Sequence, residues 1–292
     1  MMRLLRIEIY KIFKRQRTYI AFAVIAAIIF LIQIGLKFGG EEYIGMIMGA
    51  MNGVFEVPPG DMLNGYFVCF FILNLLLVHV PILVALIAGD MISGESNMGT
   101  LRLLASKPIS RTQLLLVKFG ASVFYTLVLL VWVALLSLLV SVIIFGTNSL
   151  FVPKELEADI ILQSDVLWRY FAAFGFAAIG MTTIAAMALM FSVFADNSVG
   201  PIVGTVCVLI IFTILMQMEI PFYENTIKPY LFTTHLLGWK GFFYVKGNEG
   251  ATIDGSVSNL GAIVKSALIL IGYAGIFLFI AAWYFRKKNI LS

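Results

Sequence analysis

Residues 93–118 read SGESNMGTLRLLASKPISRTQLLLVK. They form a long polar interruption between apolar runs that still carries a helical pattern, helix caps and basic charge of its own. Ser93 or Asn97 can cap a short helix with Met98, Leu101, Leu104 and Ala105 on one face, and Pro108 ends it. Ser110 and Gln113 then stand three apart before an apolar run, the spacing of a capping box that opens the next helix. Arg102, Lys107 and Arg111 surround the short helix, with Lys107 placed at its C-terminal end. The plain alternative is an amphipathic loop helix held by anionic lipid. Nucleotide hydrolysis through a Walker A loop is excluded on charge. Residues 89–96, GDMISGES, have the glycine and serine spacing of a Walker A loop, but Glu95 stands where lysine is needed and would repel the phosphates.

Outward from this stretch the chain is apolar. With 61% hydrophobic and 12% charged residues and a mean hydropathy of +1.00, it exceeds what one soluble core buries, average soluble domains carrying about 25% charge. The predicted fold class is an all-α polytopic membrane protein built as one transmembrane domain. Residues 1–17 carry Arg3, Arg6, Lys11, Lys14, Arg15 and Arg17 against the single acid Glu8. Leu5, Ile9, Ile12 and Phe13 recur about once per turn, which predicts a basic amphipathic helix on the inner leaflet. The next apolar run is too long for a signal-peptide core, and no small-residue cleavage site closes it. Six spans are expected, over residues 18–36, 64–88, 114–145, 166–194, 199–218 and 262–285. Loops are expected at 37–63 and 146–165, with a broken, half-immersed external segment at 219–261. At 1.5 Å per residue the third run reaches about 48 Å against a hydrocarbon core near 30 Å, so it should tilt or project.

Six spans put both termini on one side. The face with the termini carries 13 of the 20 basic residues but 4 of the 16 acidic ones, which the positive-inside rule makes cytoplasmic; the expected location is the plasma or inner membrane of a prokaryote. No acid or base is left at a span centre, against the ion path of a proton- or sodium-coupled carrier. The net charge of +4 needs no nucleic acid to explain it, and no basic stripe with interleaved exposed aromatics appears. Cys69 and Cys207 both lie in apolar runs, as small hydrophobes do. The two histidines have no carboxylate or cysteine cluster beside them, so no metal site is expected.

Glu95, Gly99-Thr100, Leu103-Leu104, Pro108, Ser110-Arg111 and Lys118 together resemble the E-x(3)-GT-x(2)-LL-x(3)-P-x-S/T-R-x(6)-K signature of ABC-2 type transporter permeases. The basic N-terminal helix with Glu8 and Lys11 in an E-x-x-K pattern, the six spans and the broken segment before the last are similar as well. The resemblance implies a half-transporter that pairs with a second permease, identical or related, and with two copies of a separate cytoplasmic ATPase. ATP and Mg would be bound by that partner, this chain needing no cofactor. It also implies that Gly94, Glu95, Gly99, Thr100, Leu101, Arg102, Leu103, Leu104, Pro108, Ser110 and Arg111 form the coupling helix region. Residues 1–17, with Arg3, Arg6, Glu8, Lys11 and Lys14, become an interfacial elbow in contact with membrane lipid, and the turn 195–198 a lesser contact.

Asn74 and His79 in the second span are candidate substrate contacts, with interhelical hydrogen bonding as the alternative. Thr182, Thr183 and Gly180 favour helix packing. His235 and Trp239 suit an aromatic belt. Two other functions compete with transport. One is a sensor or scaffold subunit using the same docking surface. The other is an intramembrane enzyme, for which Glu41-Glu42 offers paired acids but lies in an expected outer loop. No Ser, His and Asp set stands at a plausible depth.

Overall fold

Helices dominate the computed structural model, which describes residues 1–50, 62–101, 109–153, 158–218, 223, 226–245, 247–248, 251–252 and 255–288. In chain order, α1 is Met2–Lys14, α2 Gln16–Ala50, α3 Gly65–Ala88, α4 Ser93–Asn97 and α5 Arg111–Ala134. A π-helical turn, Leu135–Val140, joins α5 to α6, Ser141–Phe145. After the strands β1 (Leu150–Pro153) and β2 (Ala158–Ile161) come α7, Gln163–Phe194, and α8, Val199–Met216. A 3-10 turn Lys228–Tyr230, α9 (Phe232–Leu236), a second 3-10 stretch Leu237–Phe243 and the strands β3 (Gly247–Asn248) and β4 (Ala251–Thr252) precede α10, Leu260–Lys287.

Among the described residues five helices are long and apolar enough to cross a membrane: Gln16–Met46, Arg111–Phe145, Gln163–Phe194, Val199–Met216 and Leu260–Lys287. A further candidate is α3, bent by 52° between Gly65–Leu76 and His79–Ala88. The bend has a local cause in Pro81, which lacks an N–H and whose ring crowds the carbonyl four residues earlier. Long apolar helices are the expected outcome in lipid, where each backbone group must bond within its own element. The bundle is built around α7, whose most apolar stretch is 72% buried, against 11–33% for the other four long helices. It packs against α3, α5, α8 and α10. Thr183 binds α10 to it through a 3.0 Å bond to the Leu270 carbonyl, whereas Thr182 bonds within α7, to Ala178.

Three expectations need correction. The loop placed at 37–63 begins later, because α2 runs unbroken through Gly39-Gly40-Glu41-Glu42 to Ala50; burial of Leu36, Gly40 and Ile44 on one face keeps that stretch helical. Residues 51–61 lie outside the described residues. The loop at 146–165 is largely an antiparallel hairpin, β1 on β2 with Leu150 opposite Ile161. Its Leu150, Phe151 and Val152 are all buried, so apolar contact holds β1 against the bundle. His235 and Trp239 are buried instead of facing lipid as a belt. The Nε2–H of His235 is directed at the Pro229 carbonyl, 2.9 Å, and Nδ1 lies 3.0 Å from the Ser266 hydroxyl. Trp239 and Phe243 stack edgewise and tilted against Phe70 of α3.

Candidate functional site

The basic end of the bundle is assembled by ion pairs between elements distant in sequence. In α1, Ile12 is buried and Phe13 meets Phe124 and Tyr125 of α5 at 6.3 and 6.4 Å. This face carries Glu8 inward to meet Lys118, which stands two turns into α5. The Lys118 ammonium donates to Glu8 Oε2 at 2.9 Å and lies 2.7 Å from Glu95 Oε2 as an ion contact without a hydrogen-bonding angle. Lys11 donates to Glu8 Oε1 at 2.6 Å and to Glu95 Oε1 at 2.9 Å. Four side chains thus alternate in sign around a closed ring that joins α1, α4 and α5. Glu8, Glu95 and Lys118 are buried, and Lys11 closes the ring from the half-exposed side. A buried charge is tolerated only when paired, and here each has two partners.

Burial pushes the Glu8 carboxyl upward, but the Lys118 ammonium and the bonds from Lys11 and Lys118 outweigh it and hold its pKa below the ordinary 4.5. Burial likewise depresses Lys11, yet its bonds to Glu8 and Glu95 raise it above 10.5. Both directions keep Glu8 and Lys11 charged near neutral pH.

A second cluster lies beside the ring. The buried Asp90, in the turn after α3, accepts from Arg15, at the elbow between α1 and α2, and from Arg17 in the first turn of α2. Gly94 packs so closely on Asp90 that a Cβ there would run into the carboxylate. From the other side, Ser192 of α7 accepts from the backbone N–H groups of Ile92 and Ser93 at 3.1 and 2.9 Å. The hydroxyl therefore satisfies amides that would otherwise be orphaned at the start of α4. Ser192→Ala should leave these two buried amides without an acceptor, costing about 1–3 kcal/mol. Hydrogen exchange at Ile92 and Ser93 should speed up accordingly, and unchanged protection would show that the bolt contributes nothing.

These contacts alter the reading of α4. Neither Ser93 nor Asn97 caps it with a side chain: Ser93 turns its hydroxyl back to the Gly89 carbonyl, 2.8 Å, and Asn97 is the last residue of the helix. Gly99 has φ +70°, a left-handed conformation that glycine adopts without penalty, so Met98 and Leu101 do not continue the helix of Ser93. Of the named coupling residues, Gly94, Glu95 and Leu101 are buried, Thr100 is half-buried, and Gly99 and Ser110 are exposed. Arg102, Leu103, Leu104 and Pro108 lie outside the described residues. Ser110 makes the forward half of its capping box, accepting from the Gln113 N–H at 3.2 Å. Arg111 faces the C-terminal end of α10, donating to the carbonyls of Phe285, Arg286 and Lys288. Lys288 in turn donates to the Val193 and Ala195 carbonyls and ion-pairs with Asp196 at 2.8 Å. Ser96 reaches Asp196 at 3.3 Å, so α4 and the 195–198 turn form one surface. Arg3, Arg6 and Lys14 are on the exposed side of α1.

The two candidate substrate contacts are not brought together in this way. Asn74 donates to the Phe70 carbonyl at 2.8 Å, and Nδ1 of His79 is 2.9 Å from the Leu75 carbonyl, each one turn back on its own helix. Polar groups that sequence reading passed over are more committed. Gln33 of α2 is buried and donates to the Leu136 carbonyl and to Ser141, both at 2.9 Å, beside the π-helical turn. Its signal was a lone amide within an apolar run. At the opposite, acidic end, Arg169 of α7 is fully buried and bonds Asp165 together with the carbonyls of Phe242 and Ser256.

The helices define an all-α polytopic membrane protein, with a charged, interlocked face at its basic end. Residues 23–291 match the model of a family described as a protein of unknown function, DUF2705, and the chain belongs to that family. No curated protein matches it.

Proposed function

We propose that the chain is the membrane subunit of an ATP-driven exporter, coupled to two copies of a separate cytoplasmic ATPase and paired with a second permease chain. The observation that supports this reading is α4. It is a short polar helix held inward by Glu95 and Ser93 and open outward at Asn97 and Met98. A surface-lying loop helix held only by lipid needs no such anchorage. Here a push on the exposed side would be carried through Glu95 to α1 and α5, through Asp90 to the elbow, and through Ser192 to α7. The basic end is then cytoplasmic, with both termini there, and six spans include the bent α3. Nucleotide and Mg belong to the ATPase, and the helices of the two permeases form the path for cargo.

The test is purification of the chain with its candidate ATPase from detergent, followed by the mass of the complex. Two permeases with two ATPases are expected. Arg102→Glu combined with Leu104→Asp reverses one charge and replaces one apolar side chain of the coupling stretch. The variant should insert normally and lose the ATPase altogether; a complex that survives purification unchanged would overturn the docking assignment.

A further inference from the structure

We propose that a cavity inside the single chain binds the end of a lipid acyl chain. It lies between α3, α5, α7 and the segment 236–239, has a volume of about 50 Å³, and is lined by apolar side chains including Leu73, Val80, Val133, Phe174, Ala177 and Trp239. One water-sized group needs roughly 10–15 Å³ on this measure, so there is room for a few methylenes. Leu73 and Val80 of its lining lie on either side of the 52° bend of α3.

Three features assign the occupant. The cavity offers no charged side chain, and the nearest polar group in sequence, the Asn74 amide, is spent on the Phe70 carbonyl. Apolar cavities of this kind stay dry and take up apolar guests. The lining residues lie near the middle of α3 and α7, at the depth where the surroundings are hydrocarbon rather than water. Leu73, Phe174 and Ala177 are only half-buried, so the cavity communicates with the surface at that level. The site deepens the exporter reading, on which its relevance to cargo rests, by naming an amphiphile with an apolar tail. Binding itself needs no ATPase, so loss of either reading is seen separately.

Trp239 is 5% exposed and Trp283 is 53% exposed, and the chain has four tryptophans. Replacing Trp132, Trp168 and Trp283 by Phe leaves Trp239 as the sole emitter, in vesicles of phosphatidylcholine brominated near the acyl terminus. Bromine quenches on contact, so emission should fall relative to unbrominated vesicles. Ala177→Phe and Val133→Phe, which fill the cavity from α7 and α5, should each restore it. Unquenched Trp239 in vesicles that quench a Trp283-only protein would overturn the proposal. So would quenching that both filling variants leave unchanged, or quenching by dissolved bromobenzene but not by the brominated lipid.

Discussion

Lys118→Met should destabilise the protein by about 3–5 kcal/mol, the cost typical of removing one partner from a buried ion pair. The loss is large because the ammonium is 1% exposed and serves two buried carboxylates, Glu8 and Glu95. Without it, Lys11 alone faces both, from a position that is 37% exposed. Thermal unfolding in detergent measures the effect, and adding Glu95→Gln to the variant should recover part of it by removing the acid left unpaired. The pH dependence follows from the same ring. The Glu8 contribution is fully present above 4.5 and is lost as pH falls through its depressed pKa; the Lys11 contribution is fully present below 10.5 and is lost as pH rises through its raised one. Stability should therefore be flat across the neutral range and decline at both extremes, with the acid decline shallower in Lys118→Met. A variant as stable as the parent would mean that the ring is not a clasp.

Arg169→Met should be about as severe, again roughly 3–5 kcal/mol, but with a different local result. The guanidinium is fully buried, binds Asp165 within α7 and holds the Phe242 and Ser256 carbonyls at 2.6 and 2.8 Å. Asp165 also accepts from the Gly255 N–H at 3.1 Å, so one pair of charges fastens both sides of the segment before α10. Proteolysis should then cut between residues 242 and 256 before the helices unfold. Arg169→Lys should rescue little, since a single ammonium cannot reproduce a planar fork that serves three acceptors. Unchanged protease resistance in Arg169→Met would show that packing of Phe243 and Trp239 holds the segment alone.

The apolar helices, the amphipathic α1 and the start of α5 at Ser110 were legible because each depends on neighbours within a few turns. The ring was not. Two of its four pairs join residues 84 and 110 positions apart, and nothing in the local pattern tells a carboxylate bound for the interior from one bound for a partner protein. Glu95 shows the difficulty: the signature that places it in a coupling region is compatible with its facing inward. Arg169 had a local sign, an acid four residues before it, yet counting it among the charges at span ends hid its burial. The length of α2 was misjudged because Glu41 and Glu42 read as loop charges, whereas the buried Leu36, Gly40 and Ile44 hold one face of the helix in place beyond them.

The π-helical turn at Leu135–Val140 bears on how the two ends of this long helix are related. Such a turn equals an α-helix carrying one additional residue, and one residue corresponds to a rotation of about 100°. The last turn, Ser141–Phe145, is thus set a little over a quarter of a revolution out of phase with the part that bears Lys118. That offset is what points Ser141 at Gln33. Were the turn to relax to α geometry, the outer end would swivel while the clasped inner end stayed fixed, and the Gln33 amide would lose both of its acceptors at once.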